Sequence, residues 1–147
     1  LVLQLLKEKI INYGTILEGN IIKVDSFLKT SGCELGKEFK KLFSKDKLDK
    51  ILTAETSGIA ITVIVAQYFI VPRHFARKTE FKNLDKETYE SEVYFCTKNK
   101  VYRIRVLKRY LIEGENILII DDFLANGKAL EGLIDIVNKA NSTAFHI

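Results

Sequence analysis

The chain has 147 residues, of which 47% are hydrophobic and 29% charged, and carries a formal net charge of +4. Such a length suits one domain, and the apolar fraction is enough to form a core, which excludes a disordered chain. No apolar run approaches the ~18 residues of a membrane-spanning helix and no signal-peptide pattern opens the sequence, so a cytoplasmic protein is expected.

The first segment, residues 3–12, sets Leu6 and Ile10 among charged neighbours, an amphipathic helix closing near Gly14. Short apolar runs at 15–17 and 21–24, separated by Glu18, Gly19 and Asn20, predict a hairpin. Over 34–43, Leu35, Phe39, Leu42 and Phe43 recur at helical spacing with lysines outside, and 46–50 is a charged connection. Residues 51–54 then read as a strand, 55–58 as a tight loop and 59–68 as an almost wholly apolar, buried helix. The loop contains Glu55 and the small residues Thr56, Ser57 and Gly58, which let backbone amides approach an anion closely.

Pro72 restarts the chain into a strand at 73–76 that delivers two cations, Arg77 and Lys78, at its end. His74 within it is expected to be a sheet-edge residue and not a catalytic base. Residues 79–89 are rich in Lys, Glu, Asp and Asn without apolar period and predict a mobile loop. The runs 92–97 and 101–107 alternate, with Tyr102, Ile104 and Val106 on one face and Arg103 and Arg105 on the other, and can pair as a ribbon. Six basic residues between 98 and 109 read as a charged outer strand face, not as a nucleic-acid surface.

Residues 117–130 organise the rest. Ile117, Leu118, Ile119 and Ile120 have the composition of a strand buried on both faces, and the strand ends in two carboxylates, Asp121 and Asp122. Past a turn at Gly127, the apolar residues Leu130, Leu133, Ile134 and Val137 recur at helical spacing. In open α/β sheets such a junction is where ligands sit. The backbone amides from Ala125 through Asn126, Gly127 and Lys128 to Ala129 lack partners within the helix, and the helix dipole adds partial positive charge, so a phosphate is the natural guest. The two aspartates would repel a phosphate at contact distance but suit ribose hydroxyls or a hydrated Mg²⁺. Together these features describe a ribose 5-phosphate site.

In these residues the chain resembles the 5-phosphoribosyl 1-diphosphate (PRPP) motif of type I phosphoribosyltransferases. Ile-Lys-Val-Asp-Ser-Phe-Leu at 22–28, Glu-Thr-Ser-Gly-Ile-Ala at 55–60 and Phe-Ala-Arg-Lys at 75–78 are similar, in order, to stretches of the bacterial xanthine phosphoribosyltransferases. The resemblance implies an α/β type I fold: a mainly parallel sheet flanked by helices, with an N-terminal hood over the purine (1–30), a PRPP-binding core (31–147) and a flexible β-ribbon loop that closes over the reaction.

It further implies that the Glu55, Thr56, Ser57, Gly58 loop with Arg77 and Lys78 binds pyrophosphate, and that Asp121 and Asp122 hold the ribose hydroxyls directly or through water-bridged Mg²⁺. Ile22 and Lys29 fall at positions lining the xanthine site, although the family usually has Asn where Lys29 stands. Related strands are normally apolar where Arg73 and His74 stand. The implied reaction is displacement of pyrophosphate from C1 of PRPP by a purine nitrogen, with inversion through an oxocarbenium-like transition state, in a homodimer. Ala125 stands where hypoxanthine-guanine enzymes carry an aspartate, which agrees with the xanthine, adenine and orotate branches; the expected base is xanthine, with guanine or hypoxanthine and then adenine as the alternatives.

The alternative is a regulator that keeps the fold as a PRPP sensor and binds nucleic acid. Retention of both the 55–58 loop and the Arg77, Lys78 pair favours the enzyme. Cys33 and Cys96 lack metal-type spacing and read as reduced packing residues. The absence of Met and the turn and strand start at 141–147 set the expectation of a fragment lacking a C-terminal part that reads the purine.

Overall fold

Two branched apolar runs, 51–54 and 117–120, form the centre of the sheet. The computed structural model describes residues 32–56, 58–78, 87–95, 100–121 and 127–146. In order the elements are α1 (Gly32–Leu42), β1 (Lys50–Ala54), α2 (Gly58–Phe69), β2 (Arg73–Ala76), β3 (Thr88–Phe95), β4 (Lys100–Leu107), a 3-10 turn (Lys108–Tyr110), β5 (Asn116–Ile119), α3 (Lys128–Lys139) and β6 (Thr143–Phe145). The helix and hairpin expected within 3–24 and the loop at 79–86 lie outside the described residues, as does Cys96.

β2, β1, β5 and β6 lie side by side in that order, all parallel, while β3 and β4 form a separate antiparallel ribbon. Because side chains alternate along a strand, the two central strands feed two cores. Leu52, Ala54, Ile117 and Ile119 face Leu133, Ile136 and Val137 of α3 together with Val93, Ile104 and Val106 of the ribbon. Ile51, Leu118 and Ile120 face Leu35 and Phe39 of α1 and Ile61, Val65 and Ala66 of α2. Each of these larger side chains, taken from water, stabilises the fold by about 1.5–3 kcal/mol before entropy is counted.

Three expectations change in detail. The ribbon begins at Thr88, so Thr88 and Tyr89 belong to a strand and not to the preceding loop. The ribbon is also no free flap in its described part: Ile104 and Val106 are buried, and a Cβ on Gly132 of α3 would overlap Val93. Finally, α2 is buried on one face only, with Ala60 and Gln67 exposed and Val63 and Ile64 half-buried. No helix among the described residues is long and apolar enough to cross a membrane.

Arg73 and His74 are accommodated because β2 is the edge strand, whose side chains are partly exposed. His74 stacks on the Tyr110 ring at 4.7 Å. Beside it Lys50 donates to Glu115 and to the Tyr110 carbonyl, both at 2.7 Å, which pins the N-terminal end of β1 to the segment leading into β5. The basic ribbon face is largely matched by acids: Arg105 meets Glu90 at 2.7 Å and Arg103 meets Glu92 at 2.8 Å.

Candidate functional site

Parallel strands end on the same edge, so β1, β2 and β5 deliver Glu55, Arg77 and Asp121 to one side of the sheet. The pairing continues one residue past each regular strand, with Glu55 N–H donating to the Ala76 carbonyl and Ile120 N–H to the Leu52 carbonyl, each at 3.0 Å. These bonds set the take-off direction of the loops.

The Glu55 carboxylate turns toward the end of β2. It accepts from the Lys78 backbone N–H at 3.3 Å, and its other oxygen lies 3.9 Å from Arg77 Nε. The loop and the cation pair expected to cooperate are thus in contact. Arg77 is held from its far side as well: its N–H donates to the Arg105 carbonyl at 2.8 Å and the reverse bond is 2.9 Å. The Glu55–Thr56 peptide is cis, and Ile59 N–H closes back on the Thr56 carbonyl at 3.3 Å as α2 begins.

Asp121 reaches across to this loop. A Cβ added to Gly58 would stand 3.0 Å from Asp121 Oδ1 and would overlap Thr53 Oγ1. Glycine at the start of α2 therefore lets the β5 carboxylate and the β1 hydroxyl share the space against the helix N-terminus, whose dipole favours negative charge.

The loop expected to receive a phosphate is described at its helical end. Gly127 adopts φ +76°, and no described atom lies within 4 Å of where its Cβ would be. The first bond of α3 runs from Glu131 N–H to the Gly127 carbonyl at 2.9 Å, so the amides of Lys128 and Ala129 precede the helical ladder. The Lys128 ammonium lies on Glu131 at 2.7 Å. Of the remaining expected site residues, Ile22, Lys29, Ser57, Asp122, Ala125 and Asn126 lie outside the described residues.

One polar residue passed unremarked in the sequence. Thr53 sits inside the apolar run of β1, fully buried, and its Oγ1 has no hydrogen-bond partner. A hydroxyl interrupting a buried strand two positions before the loop was the available signal. Among the described residues no three His, Cys, Asp or Glu side chains gather as a metal cage. The Asp121 carboxylate by itself still suits Mg²⁺, which commonly takes one or two carboxylates and keeps water and substrate phosphates as its other ligands.

Comparison with known proteins agrees with the geometry. The phosphoribosyl transferase domain family matches residues 31–147. A protein named xanthine phosphoribosyltransferase from Alkaliphilus metalliredigens is 59% identical, with 95% of this chain and 72% of that protein covered. Xanthine phosphoribosyltransferase 1 of Clostridium perfringens is 53% identical over 95% of this chain and 77% of its own length. Among solved structures, the Giardia lamblia adenine phosphoribosyltransferase complexed with 9-deazaadenine superposes with a TM-score of 0.73 at 22% identity, covering 90% of this chain and 75% of that one. The adenine phosphoribosyltransferase of Thermoanaerobacter pseudethanolicus does so at 0.71 and 21%, covering 84% and 71%. At that identity the structures speak to the fold, a type I phosphoribosyltransferase fold. With a family pattern spanning residues 31–147 and more than half of all aligned positions shared with each of two named relatives, the chain belongs to the phosphoribosyltransferase family and stands beside the xanthine phosphoribosyltransferases within it.

Proposed function

We propose that this protein is a purine-salvage enzyme of the cytoplasm that converts xanthine and PRPP to xanthosine 5'-monophosphate and pyrophosphate, acting as a homodimer with Mg²⁺. The observation that carries the reaction type is the meeting of Asp121 with the N-terminus of α2 across Gly58, which joins the ribose side of the site to the pyrophosphate side. The choice of base rests on the names of relatives that are 59% and 53% identical.

In this reading the amides at Gly127, Lys128 and Ala129 receive the 5'-phosphate at a helix N-terminus. Asp121, with Asp122 next to it in sequence, accepts hydrogen bonds from the ribose hydroxyls. Charge separates as the C1–oxygen bond breaks, and groups already aimed at the leaving oxygens lower that barrier most. Arg77, Lys78 and the loop amides provide that cationic surface. Glu55 in this scheme fastens the Lys78 main chain and the Arg77 side chain to the loop. Bound Mg²⁺, held by Asp121 and Asp122 through water, would supply further positive charge to the phosphates and hydroxyls.

The test is an ultraviolet assay of the full-length protein with Mg²⁺, PRPP and, separately, xanthine, guanine, hypoxanthine and adenine. Xanthine should turn over with the highest kcat/KM. Absence of turnover with all four bases would overturn the enzyme reading, and a clear preference for another base would overturn the substrate.

A further inference from the structure

A buried hydroxyl without a partner is costly to a fold, and native structures keep few of them without reason. Thr53 Oγ1 is such a group: its residue is 0% exposed and the oxygen has no hydrogen-bond partner. Thr62 Oγ1 of α2 is the other buried orphan among the described side chains. Thr53 is the one that lies beside the start of α2, at Gly58. Its Oγ1 and Asp121 Oδ1 are the two groups that border the position Gly58 leaves without a side chain. Three elements thus converge there: β1 gives the hydroxyl, β5 the carboxylate and α2 a residue that cannot come between them.

A carboxylate accepts and does not donate, whereas a threonine hydroxyl has one hydrogen to give. We infer that Thr53 is a positioning residue for PRPP: its hydroxyl donates to Asp121 Oδ1 when substrate draws that carboxylate into place, fixing the second oxygen toward the ribose hydroxyls. With that bond made, the desolvation cost of the buried hydroxyl is recovered on binding. Gly58 serves the same end by keeping the path between the two oxygens open. This rests on the PRPP-binding reading above and adds to it a residue that touches no substrate.

The experiment compares PRPP binding by calorimetry, steady-state kinetics and thermal unfolding in wild type, Thr53→Val and Thr53→Ser. Losing a hydrogen bond to a charged group should weaken PRPP binding by about tenfold in Thr53→Val. The KM for the base should not change, and the melting temperature should hold or rise because a buried orphan has been removed. Thr53→Ser keeps the hydrogen and should bind PRPP within about threefold of wild type, a rescue that a purely packing role would not produce. If Thr53→Val does not fold, Thr53→Ala carries the same comparison. PRPP binding within about twofold of wild type in the variant lacking the hydroxyl would overturn the inference, as would a serine variant as impaired as valine. The reading beneath it is tested separately: if wild type fails to bind PRPP, the proposed function falls and this role with it. If wild type binds but the threonine variants do not differ, this role alone falls.

Discussion

His74 shows how one residue's surroundings fix a measurable property. Burial against Tyr110 disfavours its charged form, and the nearby Lys50 ammonium disfavours it further, while Glu115 opposes them, so its pKa lies below the ordinary 6.5. In the unfolded chain the ring regains its ordinary value and takes up a proton more readily. The stability it contributes is therefore complete above pH 6.5 and is lost as the pH falls from there through the folded-state value. Urea titrations at neutral pH and near pH 5.5 should show wild type losing more stability on acidification than His74→Phe, which keeps a ring against Tyr110 but cannot be protonated. Parallel losses would exclude the histidine as the source. That His74 is an edge residue was readable from its place beside Arg73 in a short strand; its contact with Tyr110, distant in sequence, was not.

Among the elements, the ones the sequence announced most clearly were those with contrast. β5 is legible because four branched residues stand in a row, and α3 because Leu133 and Val137 are spaced by a helical turn; both residues are fully buried. Ile136 of α3 is equally buried but fell outside the recognised spacing. α2 offers no contrast: when nearly every position is apolar, periodicity cannot say which face turns inward, and half-buried Val63 and Ile64 could not be told from buried Val65. The start of the ribbon was misplaced for a similar reason, since Thr88 and Tyr89 follow a polar run that carries no period. The docking of the ribbon on α3 is a tertiary fact that alternation alone does not contain. It leads to a prediction: Ile104→Ala should cost about 2–5 kcal/mol in denaturant unfolding. Hydrogen exchange should speed up in both β3 and β4, because Ile104 and Val93 share the pocket over Gly132. An unfolding free energy within about 0.5 kcal/mol of wild type would show that the ribbon is not part of the cooperative core.

At the scale of the molecule, the two edges of the sheet divide the labour. The N-terminal edge of β1 and β5 is fastened by Lys50, Glu115 and the Asp49 carboxylate, which accepts from the Asn116 N–H at 2.9 Å. The opposite edge gathers Glu55, Arg77 and Asp121, and the motif spacing made that gathering foreseeable because strand, loop and helix recur in one hand along the chain. The place of Thr53 was hidden, since it depends on two chain crossings meeting over one glycine. Magnesium, in the proposed reaction, belongs to the substrate side and not to the scaffold. Chelation with EDTA should therefore abolish phosphoribosyl transfer, restored by added Mg²⁺, while leaving the melting temperature unchanged. A marked fall in melting temperature on chelation would place a metal in the framework instead.

Arg77 belongs to two partnerships at once. Its side chain leans on Glu55 at the rim of the parallel sheet, while its peptide is yoked on both sides to Arg105 in the neighbouring hairpin. Those two bonds tie the ribbon to the end of β2 at the residue that carries the cation. The packed β4 strand thereby fixes the place of the Arg77 charge at the end of β2.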